Sequence, residues 1–141
     1  MPTPSVFRTR LQLRWSDIDA NFHLRHSVYY DLCAQQRVDA LRHVGITMER
    51  MQQEGFAPVL FKEECTFRRE IRLEDEVWLD LKYRPTGRTD RFCFVHTFTK
   101  ADGTHCATVI AMGAWIDSRK RKVIEPPFDP SVVEMFPIAA E

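Results

Sequence analysis

Neither sign of charge is in excess in this chain: twenty Lys and Arg balance twenty Asp and Glu over 141 residues. That balance excludes the broad positive field that gathers nucleic acid or an anionic membrane surface. No apolar run approaches the ~20 residues that a membrane span requires. The opening Met1-Pro2-Thr3-Pro4-Ser5 is short and polar, without the apolar centre of a secretion signal, so the expected location is the cytoplasm. Internal repeats, low-complexity stretches and linkers are missing as well. Four cysteines, Cys33, Cys65, Cys93 and Cys106, stand far apart with no C-x-x-C pair. They read as reduced, packed thiols rather than a disulfide framework. His23 and His26 are three apart, but nothing in the sequence places a third ligand beside them, so no metal site is expected.

What is present suits one soluble domain. Hydrophobic residues make up 44% and charged residues 28%, the proportions of an ordinary globular core and surface. The length fits a single core, here read as one domain over 1–141 with its ordered part at about 7–118. Phe7, Leu11, Leu13 and Trp15 alternate with Arg8, Arg10, Gln12 and Arg14, which predicts a half-buried strand. A helix follows from about Ser27 to Val44, with Ser27 as N-cap and Gly45 as the stop. Its inward stripe is Tyr30, Cys33, Ala34, Val38, Leu41 and Val44, and its outward face carries Gln35, Gln36, Asp39, Arg42 and His43. A short helix over Thr47–Glu54 ends at Gly55. Strands are expected over 59–71, 76–83, 92–99 and 105–116, joined by turns at Pro85-Thr86-Gly87 and Ala101-Asp102-Gly103. Glu125-Pro126-Pro127 ends the sheet. The predicted order is strand, long helix and four strands in meander, an α+β fold with a curved sheet of about five strands around the helix. A sheet with two edges and one helix to cover it implies a homo-oligomer.

Chemistry concentrates in Arg14-Trp15-Ser16-Asp17-Ile18-Asp19-Ala20-Asn21-Phe22-His23-Leu24-Arg25-His26-Ser27-Val28-Tyr29-Tyr30. Two carboxylates, two imidazoles and two phenols lie beside a helix start, whose first backbone N–H groups have no partner within the helix. A carboxylate next to such donors has two of the parts needed to attack and hold a carbonyl.

The D-x-D motif at Asp17 and Asp19, together with His23, Tyr29 and the strand order, resembles the hotdog-fold acyl-CoA thioesterases. The group it resembles is the 4-hydroxybenzoyl-CoA thioesterase-like superfamily, over residues 7 to 118. The resemblance implies hydrolysis of an acyl-CoA or acyl-carrier-protein thioester without metal or organic cofactor, in a homodimer or a dimer of dimers. It implies Asp19 as nucleophile or general base toward water. The N–H groups of His26, Ser27 and Val28 then polarise the thioester carbonyl, and His26, seven residues after Asp19, is a second catalytic candidate. The sequence departs from the family at two places: Phe22 stands where many relatives have Gly, and Arg25-His26 where they have Asn-Asn. Gly tolerates backbone conformations that Phe does not, so Phe22 bears on the loop's path or the acyl pocket.

Plain structural readings stand beside these roles. Asp19 in a loop can cap local backbone, Asp17 reads as a turn carboxylate, and His23 as a packing residue. Phe22, His23, Arg25 and Tyr29 are candidate substrate contacts. Glu63 and Glu64 occupy successive strand positions and face opposite sides, one of them toward a dimer interface or the substrate. Arg68, Arg69, Arg88, Arg91 and the run Arg119-Lys120-Arg121-Lys122 are candidates to grip coenzyme A phosphates, against the plain reading of a solvated basic loop. The alternative function is a non-catalytic hotdog protein that binds acyl groups or CoA. A dehydratase or hydratase ranks last, since its His-plus-acid motif is missing.

Overall fold

The structure is a computed structural model and describes residues 5–140; Met1–Pro4, where the opening segment was read, lie outside the described residues. Strand β1 (Arg8–Arg10) leads through a 3-10 turn (Trp15–Asp17) to helix α1 (His26–His43) and the short α2 (Met48–Glu54). Then come β2 (Phe56–Phe67), β3 (Val77–Tyr83), β4 (Arg91–Lys100), β5 (His105–Asp117) and the two-residue β6 (Lys122–Val123). The strands form one antiparallel sheet in the order β1-β3-β4-β5-β2, with β6 on β5. The sheet curls around α1, the α+β arrangement expected from the sequence.

Several elements follow directly from local chemistry. Thr47 caps α2 by accepting from the Arg50 N–H at 3.1 Å, and Gly55 ends it in the left-handed region at φ 74°. Gly103, at φ 93°, turns the chain between β4 and β5.

The expected meander is corrected at β2, which pairs with β5 rather than β3. The segment 68–76 makes the crossing. Arg68 and Arg69 N–H both donate to the Cys106 carbonyl, and the Leu24 N–H donates to Ile71. Ile71 is fully buried beneath the start of α1. β1 is also shorter than the alternation predicts. Trp15 is 76% exposed, because Asp17 accepts from the backbone and guanidinium of Arg14 and folds Trp15–Asp17 into a turn. At the other end, the core does not stop near residue 118. The segment 124–139 returns over the sheet and buries Phe136 and Ala139, pinned by Tyr83 N–H to the Pro137 carbonyl and Ala139 N–H to the Tyr83 carbonyl.

Helix α1 is rotated relative to its predicted stripe. Cys33, Leu41 and Val44 are buried as expected, but Ala34 and Val38 face out and Gln36 and Arg37 face in. Partners on the sheet make this possible. Gln36 Nε2 donates to the Leu79 carbonyl at 2.7 Å, and its Oε1 lies 2.9 Å from His96 Nδ1. Arg37 Nη1 lies 3.1 Å from His96 Nε2, and its Nη2 donates to Glu63 Oε2 at 3.2 Å. Arg37 can only donate, so Nε2 accepts and Nδ1 carries the proton. Burial first, and then the Arg37 charge, depress the His96 pKa to about 3, so the ring is neutral. This polar layer divides the interior into two apolar clusters. One, around Tyr29, Ile71 and Phe98, lies at the start of α1; the other, around Leu41, Phe92 and Trp115, lies near its end.

Candidate active site

The loop before α1 is built by its own polar groups. Asp19 Oδ1 accepts from the Asn21 N–H at 2.9 Å and the His23 N–H at 3.3 Å. The Asp19 N–H donates to the His23 carbonyl, and the Phe22 N–H to the Asp19 carbonyl. Asp19 thus caps a tight turn with one oxygen, while Oδ2 makes no hydrogen bond among the described residues. Phe22 sits in that turn at φ 68°, the left-handed conformation that glycine adopts readily, with its ring 71% exposed. Asp17 closes the loop from behind. It is buried, accepts from Arg14, and its carbonyl takes the Arg25 N–H at 2.7 Å. The hydrogen-bonded Arg14 guanidinium holds the Asp17 carboxyl below the usual range.

Helix α1 starts one residue earlier than expected. Arg25 is the N-cap and supplies no side-chain cap to the helix. Its guanidinium instead donates to Ser27 Oγ at 3.0 Å and reaches the Ser16 carbonyl at 3.4 Å. Ser27 is therefore inside the first turn rather than its cap. The Val28 N–H donates to the Arg25 carbonyl at 3.0 Å, which removes it from the three predicted carbonyl-binding amides. The N–H groups of His26 and Ser27 keep no acceptor among the described residues, as a helix start leaves them.

Asp19, His23, His26 and Tyr29 line one open cleft of about 300 Å³, closed on its far side by Phe67, Arg68, Arg69 and Glu70. Tyr29 packs edge-on against Phe67 at 4.9 Å, and burial pushes its hydroxyl up to about 12, so it keeps its proton. His23 Nε2 lies 3.1 Å from Glu70 Oε2, tying the loop to the segment beyond β2. Arg68 and Arg69 are exposed at this rim. Two consecutive arginines closing a strand beside a polar loop were the available sequence signal for this wall; Phe67 and Glu70 carried none.

Other predicted contacts lie elsewhere. Glu63 is held by Arg37, halfway along β2. Arg88 pairs with Asp90 through both guanidinium arms at 2.9 Å, and with Arg91 it lies near the end of α1, outside the cleft. Arg119 and Arg121 follow β5 at the Phe56 end of β2, opposite the Phe67 end where the cleft opens. The Arg119 guanidinium sits against Gly55. Within one chain the structure does not bring these four arginines to Asp19. Burial raises the thiols of Cys33 and Cys65, the latter to about 11, and the four cysteines are separate free thiols.

A family model described as the thioesterase-like superfamily matches residues 13–136. No curated protein matches the chain in sequence. Among solved structures, a hypothetical protein from Staphylococcus aureus in complex with CoA superposes with a TM-score of 0.82 at 19% identity, over 92% of this chain and 79% of that one. A 1,4-dihydroxy-2-naphthoyl-CoA thioesterase from Synechocystis gives 0.80 at 18% identity, over 90% and 94%. A DHNA-CoA thioesterase from Staphylococcus aureus gives 0.75 at 15%, over 84% and 78%. At these identities the superpositions establish the shared fold.

Proposed function

The chain belongs to the thioesterase-like superfamily, which makes it an enzyme of thioester hydrolysis, and from that premise we propose that it cleaves an acyl-CoA or acyl-carrier-protein thioester with Asp19 as the reactive carboxylate. One observation carries this reading. Asp19 keeps Oδ2 unbonded in a cleft that His26 also lines, and the amides of His26 and Ser27 at the start of α1 have no acceptor among the described residues. A thioester carbonyl lying across that helix start gives its oxygen to those two N–H groups, whose charge stabilisation grows as the carbon becomes tetrahedral. Asp19 then acts in one of two ways. It attacks the carbon to give an anhydride that water opens, or it takes a proton from a water that attacks directly. Either way the C–S bond breaks, and the thiolate leaves without needing a dedicated acid. His26 hydrogen-bonds the water or the substrate.

The two neighbours named for CoA thioesters and the one solved with CoA support CoA as carrier. Arg68 and Arg69 line the cleft, which supports them as partners for its phosphates. The twelve-residue edge strand β2, with Leu60 exposed beside Ala34 and Val38 of α1, supports assembly with a second copy. A panel of short, long and aryl acyl-CoAs, read by thiol release with a thiol-reactive dye, tests the function. The expected outcome is turnover of at least one class. Saturable binding of the panel with no turnover indicates the non-catalytic binding protein instead.

A further inference from the structure

We infer that the chain has a second ligand site, for an apolar group the size of one substituted benzene ring, at the far end of α1 from Asp19. The site is a cavity of about 200 Å³ between the sheet and the returning segment 124–139. Six aromatic residues, Tyr83, Phe92, Phe94, Trp115, Phe128 and Phe136, line it together with aliphatic side chains, and Arg88, Thr89, Arg91 and Glu125 also border it. Apolar cavities of ~150 Å³ are known to stay dry and to take up benzene, so this volume suits a ring with a small substituent. An empty space this large is destabilising for a fold that fails to collapse into it, and here collapse is opposed. The covering segment is fixed at one end by the Ile124 N–H to the Trp115 carbonyl and at the other by the Ala139 N–H to the Tyr83 carbonyl. In between, Arg50 Nη2 donates to the Pro127 carbonyl at 2.7 Å.

At the rim, Arg88 spends both arms on Asp90 and Glu125 accepts from the Thr89 hydroxyl at 2.8 Å, while Arg91 Nη1, 3.7 Å from the same carboxylate, is buried with no hydrogen-bond partner among the described residues. This cavity is also not the inner end of the Asp19 cleft. Leu41, which lines it, stands fifteen residues along α1 from His26, roughly 22 Å away at 1.5 Å per residue. The buried Gln36–His96 layer lies between them.

Toluene is the probe, added to the full chain and read by thermal unfolding and by calorimetry. The site predicts saturable binding of one toluene per chain, with a rise in Tm of roughly 5 °C at tenfold excess over Kd. It predicts the same rise in Asp19→Asn. Val133→Phe and Ile46→Phe each place extra ring volume in the cavity from different walls. Each should fold, by circular dichroism, and lose the toluene shift; should one not fold, the other decides. Toluene should leave the KM for the thioester unchanged, and competition with the thioester would place its binding in the substrate cleft and overturn a separate site. No saturable binding to the wild-type chain, or a shift that survives in a folded filled variant, overturns the site.

Discussion

Phe22 carries a cost that its neighbours do not. Its backbone lies at φ 68° in the turn that aims Asp19, yet its ring is mostly in water and gains little packing in return. Left-handed backbone costs an L-residue about 1–2 kcal/mol, partly offset for glycine by its looser unfolded chain. Phe22→Gly should therefore raise stability by about 1 kcal/mol, read as a higher denaturant midpoint at unchanged slope. A lower midpoint would show that the ring makes contacts worth more than the strain. This position was legible in the sequence only as a departure, a Phe where glycine is usual. The conformation that makes it matter comes from the hydrogen bonds of Asp19 to Asn21 and His23.

At the scale of elements, periodicity located α1, α2 and the strands, because each buries one face and repeats accordingly. It misjudged the turn of α1 about its axis. Gln36 and Arg37 read as outward residues until His96 and the Leu79 carbonyl, some sixty and forty residues away, supply partners. No local pattern contains that information, just as none contained the crossing of 68–76 that moves β2 to the far side of β5. The buried layer has a pH signature with a definite sign. His96 in the unfolded chain takes up a proton near its ordinary 6.5, while the folded site refuses it until about 3. The unfolded state binds more protons in that window, so stability falls as pH drops from 6.5 toward 3. Denaturant midpoints should decline already between pH 6.5 and 5, before most carboxylates titrate. In His96→Gln, which keeps one donor and one acceptor, that decline should flatten. A wild-type midpoint that is level over this range would contradict a buried neutral His96.

For the whole molecule, one long sheet edge is left with apolar side chains exposed on it. β2 offers twelve residues of unpaired edge, and Phe61, 64% exposed, stands where its pairing with β5 slips register. Leu60, next to it, shares a groove with Ala34 and Val38, which the rotation of α1 turns outward. Light scattering should give twice the chain mass for the wild type and the single-chain mass for Phe61→Lys, with circular dichroism unchanged. A dimer that survives the lysine would place the interface elsewhere. The candidate site was legible in the sequence to the extent that it is local: Asp19, His23, His26 and Tyr29 lie within one short stretch and share one cleft. Its opposite wall was not, since Phe67 to Glu70 arrive through the strand crossing. Asp19 as the reactive carboxylate is tested most directly by kcat/KM for thioester hydrolysis in folded Asp19→Asn protein. The amide keeps an oxygen to cap the Asn21 and His23 N–H groups, so the loop should hold while kcat/KM falls by about 100-fold or more. Wild-type turnover in that variant would show that the reaction uses another group.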